Sequence, residues 1–257
     1  MKKMLGVLVT MMLVLGAMAA DTDTRQFEVG VSPELDLKNV SGDVILRQGD
    51  ADRIVVTYDK KDDDIEVYMD QRGDRVVVEV KYPERRWRKS YKGGVHFEIA
   101  FPAEGELDIS TVSGSIEMEG IYGTIALKTV SGDINVIDSA GDLNLEVVSG
   151  VVTMKDIGDA DINASAVSGQ VKYSGGDLNG NNEFSTVSGS ISVFYNADAA
   201  FTVNGSVMSG NISADNDGVR VKKAKYGPQT SVRGSVNGGG GVLDLNSVSG
   251  NIRLKRK

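Results

Sequence analysis

One short pattern constrains this chain more than any other feature. TVSGSI, TVSGDI, VVSGVV, AVSGQV, TVSGSI, VMSGNI and SVSGNI follow one another with serines at Ser113, Ser131, Ser149, Ser168, Ser188, Ser209 and Ser249. Each serine precedes a glycine: Gly114, Gly132, Gly150, Gly169, Gly189, Gly210 and Gly250. The spacings are 18, 18, 19, 20, 21 and 40 residues. A period near 20 that lengthens one residue at a time marks the rungs of a solenoid with slack in one loop. The final gap is worth about two rungs. An earlier copy, NVSGDVIL, contributes Ser41 and Gly42.

Columns read across the repeats agree in type, as stacked side chains must. Six residues before the serines stand Leu107, Ile125, Leu143, Ile162, Asn182, Val203 and Leu243, and four before them stand Ile109, Leu127, Leu145, Ala164, Phe184, Gly205 and Leu245. Three after come Ile116, Ile134, Val152, Val171, Ile191, Ile212 and Ile252, and five after come Met118, Val136, Met154, Tyr173, Val193, Ala214 and Leu254. Polar residues alternate with them. This period of two gives each rung two short strands, one on either side of the Ser-Gly corner. The fold expected is all-β: a parallel β-solenoid, right-handed, with 18–21 residues per rung. Glycine suits a corner of positive φ, a small serine suits a tight turn with its hydroxyl bonded to backbone or to the next serine, and the preceding valine is expected to plug the core. A catalytic serine is needed once, so the motif reads as structural.

Residues 20–104 differ. RIVVTYD, DIEVYMD, DRVVVEVKY and VHFEIAF alternate between polar turns, the pattern of antiparallel hairpins that cap an open sheet edge. The charged end of NIRLKRK is expected to protect the other edge. The division read from sequence is 1–19 as leader, 20–104 as capping hairpins and 105–257 as solenoid, with 20–257 one continuous domain.

The leader reading rests on two lysines, an apolar run from Met4 to Gly16 and Ala17-Met18-Ala19 before the cleavage point, the form of a secretory signal peptide. The run is short for a membrane span, and no later stretch approaches about 20 apolar residues. An extracytoplasmic setting follows: periplasm, cell surface or medium. The chain has no cysteine, so a hydrophobic core must hold it without disulfides. Charge is uneven: residues 105–218 carry 3 Lys/Arg against 16 Asp/Glu, net −13, and residues 219–257 carry 9 against 1, net +8. A main body this acidic argues against nucleic acid as partner.

Few residues offer chemistry. His96, the one histidine, sits in an alternating strand opposite Val95 and Phe97, remote in sequence from most serines and with no nucleophile-elbow motif. The second turns stack into an acidic ridge of Asp138, Asp142, Asp156, Asp159, Asp161, Asp177, Asp198, Asp215 and Asp217. It lacks the GGxGxD and EF-hand ligand patterns, so no metal or cofactor is expected. The outward column Glu117, Asn135, Thr153, Lys172, Ser192, Ser213, Arg253 contains one carboxylate, against the pair that glycoside chemistry uses. The candidate contact for an anionic surface is YPERRWRKSYKGG, with Arg85, Arg86, Trp87, Arg88, Lys89 and Lys92.

The repeated corner, the leading hairpins, the leader and the FPAEGELDISTVSGSI junction resemble the bacterial putative-adhesin family of β-strand-repeat envelope proteins. The resemblance spans the mature chain and implies a fold and a binding role without catalytic residues. The leading expectation is a non-catalytic, adhesin-like extracytoplasmic protein whose partner is a cell-envelope or extracellular component. The alternatives are an envelope-stress accessory that binds cationic agents on the acidic ridge, and a polysaccharide-active β-helix enzyme.

Overall fold

The computed structural model describes residues 22–82 and 93–257. The leader and the basic segment from Arg85 to Lys92 lie outside the described residues. The described chain is β throughout and forms a single 19-stranded sheet that bends at each corner. The first strands are β1 (Thr22–Glu28), β2 (Glu34–Lys38), β3 (Val44–Gln48), β4 (Arg53–Lys60), β5 (Glu66–Arg72), β6 (Arg75–Lys81) and β7 (Val95–Phe101). The repeats follow as β8 (Glu104–Ser113), β9 (Ile116–Glu119), β10 (Tyr122–Ser131), β11 (Ile134–Ile137), β12 (Ala140–Ile157), β13 (Ala160–Gly176) and β14 (Asn181–Tyr195). The last are β15 (Phe201–Ser209), β16 (Ile212–Ala214), β17 (Val219–Lys223), β18 (Thr230–Val236) and β19 (Gly241–Arg256).

Residues before the corners make one face of the solenoid, in the spatial order β5, β6, β2, β8, β10, β12, β13, β14, β19, β15, β18, β17. Residues after the corners make the other, in the order β1, β4, β7, β3, β9, β11, β12, β13, β14, β19, β16. The repeats pair in parallel and in register, serine on serine, as the columns required. Antiparallel strands cap both ends: β1, β4 and β5 at one, β17 and β18 at the other.

The inward columns form one core. Leu107, Ile125, Leu143 and Leu243 are buried with Ile116, Ile134, Val152 and Ile252 across from them. Burial of such side chains contributes about 1.5–3 kcal/mol each, which supports a chain without disulfides. Asn182 is the polar intruder, and its amide donates to the Gly180 and Val242 carbonyls at 3.1 and 3.3 Å.

The corner glycines answer a steric demand more general than a positive φ. A β-carbon on Gly132 would stand 2.1 Å from the Gly114 carbonyl oxygen, and one on Gly169 1.8 Å from that of Gly150. All eight corner glycines make this kind of approach, while Gly42, Gly132, Gly150 and Gly210 alone among them have positive φ. Rungs about 4.8 Å apart leave no room at the bend for a side chain directed at the neighbour.

Two features depart from the linear reading. The last strand, β19, does not close the stack. It lies inside, with Ser249 registered between Ser188 and Ser209. β15 and β16 pair with its outer side through Leu254, so the body of the strand is not an edge, and only the charged residues 255–257 run past that pairing, beside β14. In addition, β6 and β7 run parallel to β2 and β3, so these two strands supply a further rung beyond the first corner.

Candidate functional site: the corner edge

The corner edge is built by the same alternation that fills the core. Counting inward from positions six and four before the serine, position two before must also point in. Thr111, Thr129, Val147, Ala166, Thr186, Val207 and Ser247 do so and are buried. Small side chains fit the narrowing bend, and three of the four hydroxyls there are bonded: Thr129 donates to the Gly114 carbonyl at 3.0 Å, and the Thr186 and Ser247 hydroxyls lie 3.1 Å apart.

The residue immediately before the serine therefore points out, which corrects the expectation that it plugs the core. Val40, Val112, Val130, Val148, Val167, Val187, Val248 and Met208, in spatial order, are 41–62% exposed. Eight rungs at about 4.8 Å make a row of roughly 34 Å. The motif serines from Ser113 to Ser249 stand beside it, also exposed. Their expected hydrogen-bonding role falls to the side chains two positions on. Asp43 accepts from the Ser115 backbone N–H at 2.8 Å, and Asp133 from that of Val151 at 2.8 Å. These bonds fix the polar flank of the row rung to rung.

The other sequence candidates are placed as follows. His96 is half-exposed on β7, and its Nδ1 accepts the Asp43 backbone N–H at 3.2 Å. The same nitrogen lies 3.7 Å from the Asp43 carboxylate. On the loop ridge, Asp161 accepts the Asn181 backbone N–H at 2.6 Å and Asp138 accepts the Tyr122 hydroxyl at 3.3 Å. Among the described residues no three acidic or histidine side chains converge as a metal set. Under the ridge, burial pushes the Tyr173 phenol well above its ordinary range, and its hydroxyl donates to the Asp177 carbonyl at 2.9 Å. That group is structural.

No helix of the described residues is long and apolar enough to cross a membrane. Fold and edge together define a class: a long β-solenoid that presents ordered side-chain rows on its outside. The chain belongs to the Toastrack DUF4097 family, whose profile matches residues 106–255. The resemblance read from the Ser-Gly corner is thereby borne out.

Three solved structures are similar in chain course. A putative cell adhesion protein from Clostridium sporogenes is 12% identical, with 92% of this chain and 100% of that chain covered and a TM-score of 0.38. A putative adhesin from Bacteroides fragilis is 12% identical over 91% and 97% of the two chains, with a TM-score of 0.42. One from Parabacteroides distasonis is 9% identical over 91% and 98%, with a TM-score of 0.28. No curated protein matches the chain.

Proposed function

We propose that this is a non-catalytic, adhesin-like binding protein that acts outside the cytoplasm after loss of residues 1–19, and that residues 20–257 work as one unit. Its partner is a component of the cell envelope or of the extracellular surroundings, engaged along the corner edge. The observation that carries this reading is the exposed row from Val40 to Met208. A core position needs valine for packing, but an outward one does not. An ordered apolar stripe rimmed by polar side chains has the character of an interaction surface. The non-catalytic part is supported by the recurrence of the serine in eight successive rungs.

The test is a Val130→Ser/Val148→Ser/Val167→Ser variant of the mature chain, compared with the parent for binding to isolated envelope from its source. A half-exposed valine has about 0.7 kcal/mol left to gain on burial, so three lost contacts weaken binding roughly thirtyfold. Folding is expected to survive, because the replaced side chains already face solvent. Equal binding by a folded variant contradicts the assignment of the edge.

A further inference from the structure

A marked charge contrast lies at the cap formed by β17 and β18, on the face before the corners and next to the end of the corner row. From residue 219 onward there are nine Lys/Arg and a single acid, Asp244, in a chain of net charge −8. Register places these residues. Asp244 of β19, Asn204 of β15, Arg233 of β18 and Arg220 of β17 form one cross-strand line. Asn246, Ser206, Ser231 and Lys222 form the next. Val203, Val232, Leu243 and Leu245 alternate with them and are buried, so both lines stand on the outer face. All of their residues except Arg220 line an open trough of about 610 Å³ that extends to Lys223, Ala224 and Gln229 at the hairpin end.

Two properties separate this trough from an ordinary solvated surface. First, Lys222, Lys223 and Arg233 are engaged by no carboxylate among the described residues. At the opposite end of the same face, Arg75 is held by Glu34 and Asp36 at 2.7 and 3.1 Å. Second, the trough is bipolar. Asp244 lies two strands from Arg233, about 9–10 Å away, with the amide of Asn204 between them. Beyond Asp244 the face continues into a second cavity of about 560 Å³ that includes Asn144, Asn163 and Glu183.

We infer that this trough binds an anionic saccharide, a sugar bearing a carboxylate or phosphate. The anion sits on Arg233 and Lys222, where a planar guanidinium gives paired hydrogen bonds and an ammonium adds charge. The ring hydroxyls lie on Asn204, Ser206 and Asn246, and Asp244 accepts from a hydroxyl at the far side. Neutral sugars of a longer chain continue along Asn144 and Asn163. The composition of the trough selects this class. A bilayer surface needs apolar anchors at the headgroup level, and single-stranded nucleic acid needs aromatic platforms; the lining has neither. An entirely anionic ligand meets repulsion at Asp244. The site is separate from the corner edge and stands whether or not that edge binds.

The test titrates the mature chain by calorimetry with a neutral oligosaccharide capped by a single glucuronate, its methyl ester, a hexose phosphate, inorganic phosphate and phosphatidylglycerol vesicles, at low and high salt. The glucuronate-capped saccharide or the hexose phosphate is expected to bind, the ester is not, and added salt weakens the interaction. The carboxylate and phosphate arms tell which anion is preferred. Arg233→Gln, and separately Lys222→Gln/Lys223→Gln, reduce affinity at least about tenfold, the loss of a charge-assisted hydrogen bond. Asp244→Asn weakens the saccharide but not inorganic phosphate. Arg253→Gln, on the face after the corners, has no effect. Equal binding of the ester, equal binding by Arg233→Gln, inorganic phosphate matching the saccharides, or capture of vesicles alone overturns the proposal. Failure of every probe also overturns it and leaves the lysines as guards of an exposed strand edge.

Discussion

At Gly132 a single added carbon would meet the Gly114 carbonyl oxygen at 2.1 Å, and the obstacle is backbone, which cannot swing aside. Gly132→Val is therefore expected to cost about 2–4 kcal/mol, the range of strained or overpacked sites, read as a lowered urea midpoint at unchanged slope. Ser149→Ala, one rung on, removes only an exposed hydroxyl and should stay within about 0.5 kcal/mol. If both variants behave alike, the close approach is not what fixes glycine at the bend. The need for glycine was legible in the sequence, but its reason was not: a preference for positive φ is a property of one residue, whereas the contact belongs to two rungs. The valine row was legible in principle. The alternation that buries Leu107 and Ile109 also buries Thr111 and turns Val112 outward. A hydrophobic residue beside a corner invites assignment to the core, and the parity of the strand overrides that preference.

Among the elements, β19 most changes how the stack is understood. Gly250 approaches the carbonyl of Gly189, and Gly210 approaches that of Gly250, so the last rung in sequence is the next to last in space. Nothing in the columns could reveal this, since Ser249 meets Ser188 and Ser209 with the same chemistry and register. The 40-residue gap indicated extra chain but not its path. The turn after β14 skips a rung, and it is pinned where the Asn237 side chain donates to the Ala197 and Ala199 carbonyls at 2.9 and 2.8 Å. Deleting residues 241–257 should therefore do more than shorten the solenoid. It leaves β15 without the strand that ties it to β14, and amides of 201–214 should lose hydrogen-exchange protection while those of 140–176 keep theirs. Retained protection across 201–214 would place β19 outside the stack.

For the whole molecule, the two ends share one plan. At the first end the rung of β2 and β3 lies between β6–β7 and β8–β9; at the second, β19 lies between β14 and β15–β16. In both places the outermost rung comes from farther inside the sequence, and antiparallel strands cover it on both faces at the first end and along β15 at the second. This shields most of the edge that a parallel stack would leave unpaired, and at the second end it brings Asp244, Asn204 and Arg233 onto neighbouring strands. The corner row and the basic trough both depend on that rung order, which is the central claim. Because the chain has no cysteine, it can be tested with paired substitutions in the mature protein. Disulfides form between residues whose Cα atoms lie about 4.4–6.8 Å apart, a window that admits adjacent rungs and excludes a two-rung gap of about 9.6 Å. Mild oxidation should close a bridge in Ser188→Cys/Ser249→Cys and leave Ser188→Cys/Ser209→Cys reduced. A bridge in the second variant and none in the first would show that the rungs stack in sequence order and would contradict the account.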